Sequence, residues 1–206
     1  MTAPDSSLST SVGTRSLPDR VKRILMQPRD EWHVIDGEQA TAGGLYAGYI
    51  APLSAIPVIA SFIGMSVFGL RLPFMGTYRV PMGSGITSMI VRYVLGLVGV
   101  YVLAMIIDAL APTFGGQKNQ IQALKVAAYS STAAWLAGIF GLVPALALLG
   151  LVGLYSMYLL YTGLPILMKV AADRAFAYTA AVVVSAIIIF FVIGAVAGRL
   201  ISYPTV

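Results

Sequence analysis

FAYTAAVVVSAIIIFFVIGAVAGRL, Phe176 to Leu200, decides the fold: from Ala180 to Ala197 it holds neither a charge nor a proline. About 20 apolar residues suffice to cross the hydrocarbon core of a bilayer as a helix, which satisfies its own backbone hydrogen bonds where no water can. The rest of the chain repeats the pattern. Of its 206 residues 58% are hydrophobic and 10% charged, against roughly 25% charged in a soluble domain. The mean hydropathy is +0.87. Too few polar residues remain to cover a water-facing globule. With no cysteine and one histidine, thiolate chemistry and cysteine or histidine metal clusters have no ligands, and no metal or cofactor is expected.

Working back from Phe176, four more stretches read as spans, at about residues 45–72, 86–111, 121–143 and 144–168, ahead of the last at 176–200. The predicted fold is all-α: a polytopic five-helix transmembrane bundle over 45–201, preceded by a disordered cytosolic tail (1–20) and a short interfacial amphipathic segment (21–44). Pro52 and Pro57 predict a kinked first helix, because each proline withholds an N–H and frees a backbone carbonyl. Pro112, Gly115 and Gly116 end the second span. With the third span ending at Val143 and the fourth beginning at Pro144, the pair is a tight antiparallel hairpin. In the amphipathic segment a helix near Pro18 or Asp19 lays Val21, Ile24 and Leu25 on the membrane and stops before Pro28, with Trp32 at headgroup level.

Orientation follows from the basic residues, which accumulate on the cytoplasmic side. With the N-terminus inside, nine of the thirteen lie inside and four outside, namely Arg71, Arg79, Arg92 and Arg199. The expected arrangement is N-terminus cytosolic and C-terminus outside. The net charge of +5 is then the ordinary inside excess, and without basic residues interleaved with aromatics nucleic acid is not an expected partner.

Of the charges within spans, Arg92 and Asp108, both in the second, call for an explanation. Their 16-residue separation is about 24 Å along a helix, so they cannot pair. Asp108 is expected to meet Lys118 or Lys125. Tyr129, Ser130, Ser131 and Thr132 in the third span either bond back to their own helix or face the carbonyls freed by Pro52 and Pro57. Together with Asp108 and Lys125 they form a candidate polar path. Tyr155, Tyr158 and Tyr161 make a stripe that suits packing or an interface belt. Gly44 and Gly48, and Gly194 and Gly198, form GxxxG pairs expected to mediate helix packing, Gly96, Gly99, Gly138, Gly141, Gly150 and Gly153 add close-approach sites, and the Gly194 pair offers a face for a homo-oligomer. No phosphate-binding loop, HExxH or GxSxG motif is present.

Several blocks carry a family resemblance: MQPRDEWHVI (26–35), APLSAIPVIASFIG (51–64), LAPTFGG (110–116), AYSSTAAWLAG (128–138) and LYSMYLLYTGLPILMK (154–169). Together they resemble a bacterial member of the Yip family, five-span membrane proteins whose eukaryotic relatives interact with Rab GTPases. The resemblance covers about Val21 to Leu200. It implies a cytosolic N-terminal region, five helices and, in eukaryotes, roles in vesicle traffic and membrane shaping. The chain lacks the Asp-Leu-Tyr-Gly-Pro signature that eukaryotic members carry before the first span, and the resemblance transfers no catalytic residue.

The function expected is therefore non-enzymatic: an integral protein of the bacterial inner membrane that organises membrane through lipid or protein contacts. Its interaction face is Lys22, Arg23, Arg29 and Trp32, for an anionic leaflet or a cytosolic protein partner. The alternative is a small transporter or channel for a cation or polar solute between the first three helices, where carbonyl and hydroxyl oxygens are hard ligands.

Overall fold

The computed structural model of the chain describes residues 16–72 and 76–200. Helix α1 (Leu17–Met26) starts at Ser16, whose Oγ accepts the Asp19 N–H, with Pro18 in the first turn where its missing N–H is harmless. The predicted tail is thus corrected at its end: Leu17 to Arg20 are helical, while residues 1–15 lie outside the described residues. Gln27 breaks the chain before Pro28, which opens α2 (Pro28–Gly37).

Helix α3 (Ala42–Phe68) is capped by Thr41, whose Oγ1 accepts the Gly44 N–H. It changes pitch: a π-helical stretch at Tyr46–Ile50 precedes the α-helical Ala51–Ile63, and a second follows at Gly64–Phe68. Pro52 cannot donate to the preceding turn, and just before it the Ala51 N–H reaches back five residues to the Tyr46 carbonyl. The irregularity expected from the prolines therefore includes a widened turn. A small antiparallel hairpin, β1 (Leu70–Leu72) and β2 (Gly76–Tyr78), pairs Leu70 with Tyr78. It adds two short strands that the all-α reading omits, because three-residue strands leave no periodicity to read.

Helix α4 (Met82–Phe114) ends at Gly115, whose φ of 76° terminates the helix in the left-handed region. Next come α5 (Gln120–Ser130), capped by Asn119, and α6 (Thr132–Ala137), which tightens into a 3₁₀ stretch over Gly138–Leu142. After Val143, α7 runs 3₁₀ from Pro144 to Leu154 and α-helical from Tyr155 to Leu167. Helix α8 (Ala172–Leu200) closes the described chain.

Among the described residues four helices are long and apolar enough to cross a membrane: Ala42–Phe68, Met82–Phe114, Pro144–Leu167 and Ala172–Arg199. The third expected span is not one continuous helix. Ser131 interrupts it, and the Ser130, Ser131 and Thr132 hydroxyls each donate to carbonyls of their own segment, at Ala127, Ala127 and Tyr129. Such back-bonding competes with the helical ladder and bends helices. Every residue of α5 from Ala123 to Ser130 is buried, so this segment is the centre of the bundle. Helices α4 and α7 pack against it and α8 packs on those two in turn, and the long helices turn large apolar side chains outward, among them Ile90, Val94 and Val98 of α4 and Ile188, Phe190 and Phe191 of α8. That inverted surface matches a hydrocarbon solvent.

Close approaches fall at glycines outside the two GxxxG pairs. A Cβ on Gly138 would strike Pro57, one on Gly64 the Gly141 carbonyl, and one on Gly163 the Trp32 ring at 2.6 Å. At Gly48, Gly194 and Gly198 a Cβ would meet nothing within 4 Å, and at Gly44 it would meet only Thr41. The packing role expected of these four within the chain is therefore corrected: their faces point away from neighbouring helices.

The Gly163 contact gives a test. Replacing Gly163 with Leu overpacks the site and should destabilise the protein by about 1–3 kcal/mol. In a Trp135→Phe background, which leaves Trp32 as the single indole, the same change should shift the emission to longer wavelength; an unshifted spectrum would mean that Trp32 does not sit on Gly163.

Candidate functional site: the buried charge cluster under the N-terminal helices

Helices α1 and α2 fold back on α5 and α7 with their apolar residues inward. Ile24, Trp32 and Ile35 are completely buried. The Trp32 Nε1–H donates to Thr162 Oγ1 at 3.1 Å, and its ring meets Tyr129 edge to face with centroids 6.3 Å apart. Trp32 is thus corrected from headgroup anchor to core residue. Its flat indole fits because Gly163 offers no side chain. Lys22, Arg23 and Arg29 are exposed on the outer side of the same two helices.

Beneath this pair lies a cluster of ions. Arg20, 6% exposed, donates from Nη1 to Glu31 Oε1 at 2.5 Å and from Nη2 to Glu38 Oε1. Its guanidinium carbon stands 5.7 Å from the centre of the Tyr129 ring, a cation–π arrangement. Burial works against the charge of Arg20, but the hydrogen bond to Glu38 and the fields of Tyr129, Glu38 and Glu31 outweigh it and hold the guanidinium above the ordinary arginine value. Arg20 is therefore charged at every physiological pH.

Lys125, 2% exposed, reaches from α5 to the end of α2 and donates from Nζ to the carbonyls of Ile35, at 2.8 Å, and Glu38. The carbonyls at a helix C-terminus are the natural partners of a cation. At the rim, Gln122 Nε2 donates to Asp36 Oδ1 at 2.9 Å, and Lys169 Nζ bonds Asp36 Oδ2 at 2.5 Å. Sequence pattern alone does not single out Arg20, Glu31, Asp36, Glu38 or Lys169. The available signal is three acids at 31, 36 and 38 around the buried Trp32 and Ile35, since carboxylates so close to core positions need cations.

The candidate path disperses over the fold. Tyr129 and Thr132 do converge on α3: Tyr49 Oη and Thr132 Oγ1 are 2.6 Å apart, and the Tyr49 and Tyr129 rings are 4.5 Å apart. Ser130 and Ser131 bond their own helix, Pro57 packs on Gly138, and Pro52 is exposed. Among the described residues no ion pair joins Asp108 to Lys118 or Lys125. That expectation is corrected because α2, and not α4, supplies the partners of Lys125. The buried Asp108 Oδ1 lacks a hydrogen-bond partner. An open groove of about 1050 Å³ between α2 and the start of α3 is lined by Arg20, His33, Glu38, Tyr49 and Tyr129. Asp108, Lys125, Ser130, Ser131, Thr132 and Pro52 are not among its lining residues. Chemically the cluster locks helices together, with Arg20 tying α1 to α2 and Lys125 tying α2 to α5. Among the described residues no group of three or more His, Cys, Asp or Glu side chains is placed to hold a metal ion.

The Yip1 domain matches residues 22–194 of the chain. The inner membrane protein YohC of Escherichia coli (strain K12) is 25% identical over 174 residues, which cover 82% of this chain and 89% of the relative. The same protein from Escherichia coli O6:H1 (strain CFT073) matches to the same extent. No solved structure matches the chain.

Arg20 is the test of the lock. Arg20→Met leaves Glu31 and Glu38 without their guanidinium and should destabilise the protein by about 3–5 kcal/mol, whereas Arg20→Met combined with Glu31→Leu should recover much of that loss. Thermal unfolding in detergent reads both variants, and a double variant no more stable than the single one would show that Glu31 does not depend on Arg20.

Proposed function

The chain belongs to the Yip1 family and is an integral membrane protein, and from that premise we propose that it is a non-enzymatic organiser of the bacterial inner membrane, acting through contacts of its N-terminal helices. The observation that carries this reading is the division of labour within α1 and α2. Their inner faces are committed to the bundle through Trp32 and Arg20, while Lys22, Arg23 and Arg29 remain exposed. A rigidly held basic surface suits an anionic leaflet or an acidic protein partner. Trp32 drops out of this face because it is buried. The inner membrane location follows the relative from Escherichia coli, which is named for it.

The topology proposed has five crossings, the third made by α5 and α6 together. Gln120 to Leu142 spans 23 residues, about 35 Å at helical rise. The contact of Gly64 with Gly141 supports a crossing that reaches the far end of α3. The return to the near end is supported by the Gln117 N–H, which donates to the Met168 carbonyl at 2.9 Å. Lys118, Lys169 and Arg174 then join Lys22, Arg23 and Arg29 at one end, which supports an N-terminus in the cytosol and a C-terminus outside. The open face of Gly194 and Gly198 is available to a second copy. The transport reading is the weaker one, because Asp108, Lys125 and the hydroxyls are engaged or dispersed rather than gathered around one cavity.

Single cysteines at positions 10 and 205 test the topology: a membrane-impermeant thiol reagent applied to intact cells should label only the second. For the interaction face, the Lys22→Glu, Arg23→Glu, Arg29→Glu triple variant should fold normally yet lose its partner in pull-down from native membranes. Recovery equal to wild type would reject this surface. Truncating the N-terminal helices is the poorer test, since it would strip the core of Ile24, Trp32 and Ile35.

A further inference from the structure

At the far end of α3 from the charge cluster, a pocket of about 460 Å³ opens between α3, α4 and α8. Its walls are apolar, with Phe62, Met65, Met89 and Ile193 among them, yet it is also lined by Ser66, Ser88 and Arg92. Arg92 is the intramembrane cation that the reading of function leaves unexplained. It lies ten residues beyond Met82, the first residue of α4, about 15 Å along the helix. Its one side-chain hydrogen bond among the described residues runs from Nε–H to Ser88 Oγ at 3.3 Å. No carboxylate pairs with it among the described residues, and none lines the pocket. Ser66 Oγ is buried beside the same cavity without a hydrogen-bond partner.

A guanidinium at this depth needs an anion or water, because its desolvation is otherwise uncompensated. The remaining N–H groups of Arg92 form a fork that matches the paired oxygens of a phosphate. We propose that this pocket is a binding site for one anionic phospholipid of the leaflet at that end. Its phosphate is held by Arg92 and Ser88 and one acyl chain lies among Phe62, Met65, Met89 and Ile193. An apolar cavity with a single cation at its wall takes an amphiphile with an anionic head. Because no acid among the described residues lines the pocket, it selects phosphatidylglycerol over phosphatidylethanolamine, whose ammonium group would find no carboxylate there and would be repelled by Arg92. The site stands apart from the N-terminal face, on different residues, so either can fail without the other.

The full chain, purified in detergent and offered an equimolar mixture of phosphatidylglycerol and phosphatidylethanolamine, is read by native mass spectrometry. The expected result is one retained phosphatidylglycerol per chain, preferred about tenfold, because both lipids offer the phosphate and only the ethanolamine ammonium is repelled by Arg92. Arg92→Gln should abolish the preference and Arg92→Lys should keep most of it. Met89→Trp fills the pocket without altering its charge and should also lose the lipid. Arg92 is exposed, and unchanged helical circular dichroism checks that its variants fold; should Arg92→Gln fail to fold, Met89→Trp carries the test. Equal retention of the two lipids, a preference that survives Arg92→Gln or Met89→Trp, or retention of free fatty acid in place of phospholipid would overturn the proposal.

Discussion

The buried guanidinium of Arg20, bound to Glu31 and Glu38 beneath the ring of Tyr129, is the constraint around which the near end of the molecule is arranged. A charge 6% exposed persists only where every neighbour answers it, and here the answers come from α2, from Glu38 at its end and from α5 at once. Ion pairs of this kind add little net stability compared with well-packed apolar groups, because desolvation offsets the attraction. What they contribute is register: Arg20 has a single place to go, and so do the helices that meet it. Lys125 repeats the logic from the other side by occupying the carbonyls at the end of α2.

The same constraint bears on the interrupted segment of α5 and α6. A helix facing lipid must be apolar and keep its hydrogen-bond ladder intact, as α4 and α8 do. Helix α5 faces protein on all sides, so it tolerates Lys125, Tyr129 and the run Ser130 to Thr132. The hydroxyls satisfy carbonyls where the helix is interrupted, and Tyr49 supplies Thr132 with a partner from α3. The outer helices have the opposite composition because their solvent is hydrocarbon. An inverted surface with a polar centre is one solution to folding in a bilayer, where burying apolar groups against one another offers little.

Much of the architecture is legible in the sequence because membrane helices announce themselves by length and composition. Phe176 to Leu200 and the stretch beginning near Ile86 are read directly. The pause at Val143 and Pro144 is visible as a turn signal, and the blocks around Met26 to Ile35 and Leu154 to Lys169 carry the family. The interior is not legible in the same way. Nothing local distinguishes Trp32 as a core residue from Trp32 as an interfacial anchor, since both roles favour an indole beside apolar neighbours. The partner that decides the matter, Gly163, is 131 positions away. Arg20 reads as part of a polar tail until Glu31 and Glu38 are placed beside it. The two GxxxG pairs fail for a related reason: their spacing puts two small residues on one face, but which way that face points is set by tertiary packing, and the close contacts fall at Gly138, which the sequence does offer as a close-approach site, and at Gly163, which it does not.

Helix α2 is an integral part of the bundle, held by buried ions, and not a peripheral helix resting on the membrane. Amide hydrogen exchange of the intact protein in lipid nanodiscs measures this most directly. The amides of residues 30–37 should exchange nearly as slowly as those of residues 123–130, because opening α2 requires extracting Trp32, Arg20 and the Lys125 contacts together. Exchange of residues 30–37 at rates typical of a freely detaching surface helix, with residues 123–130 still protected, would contradict it.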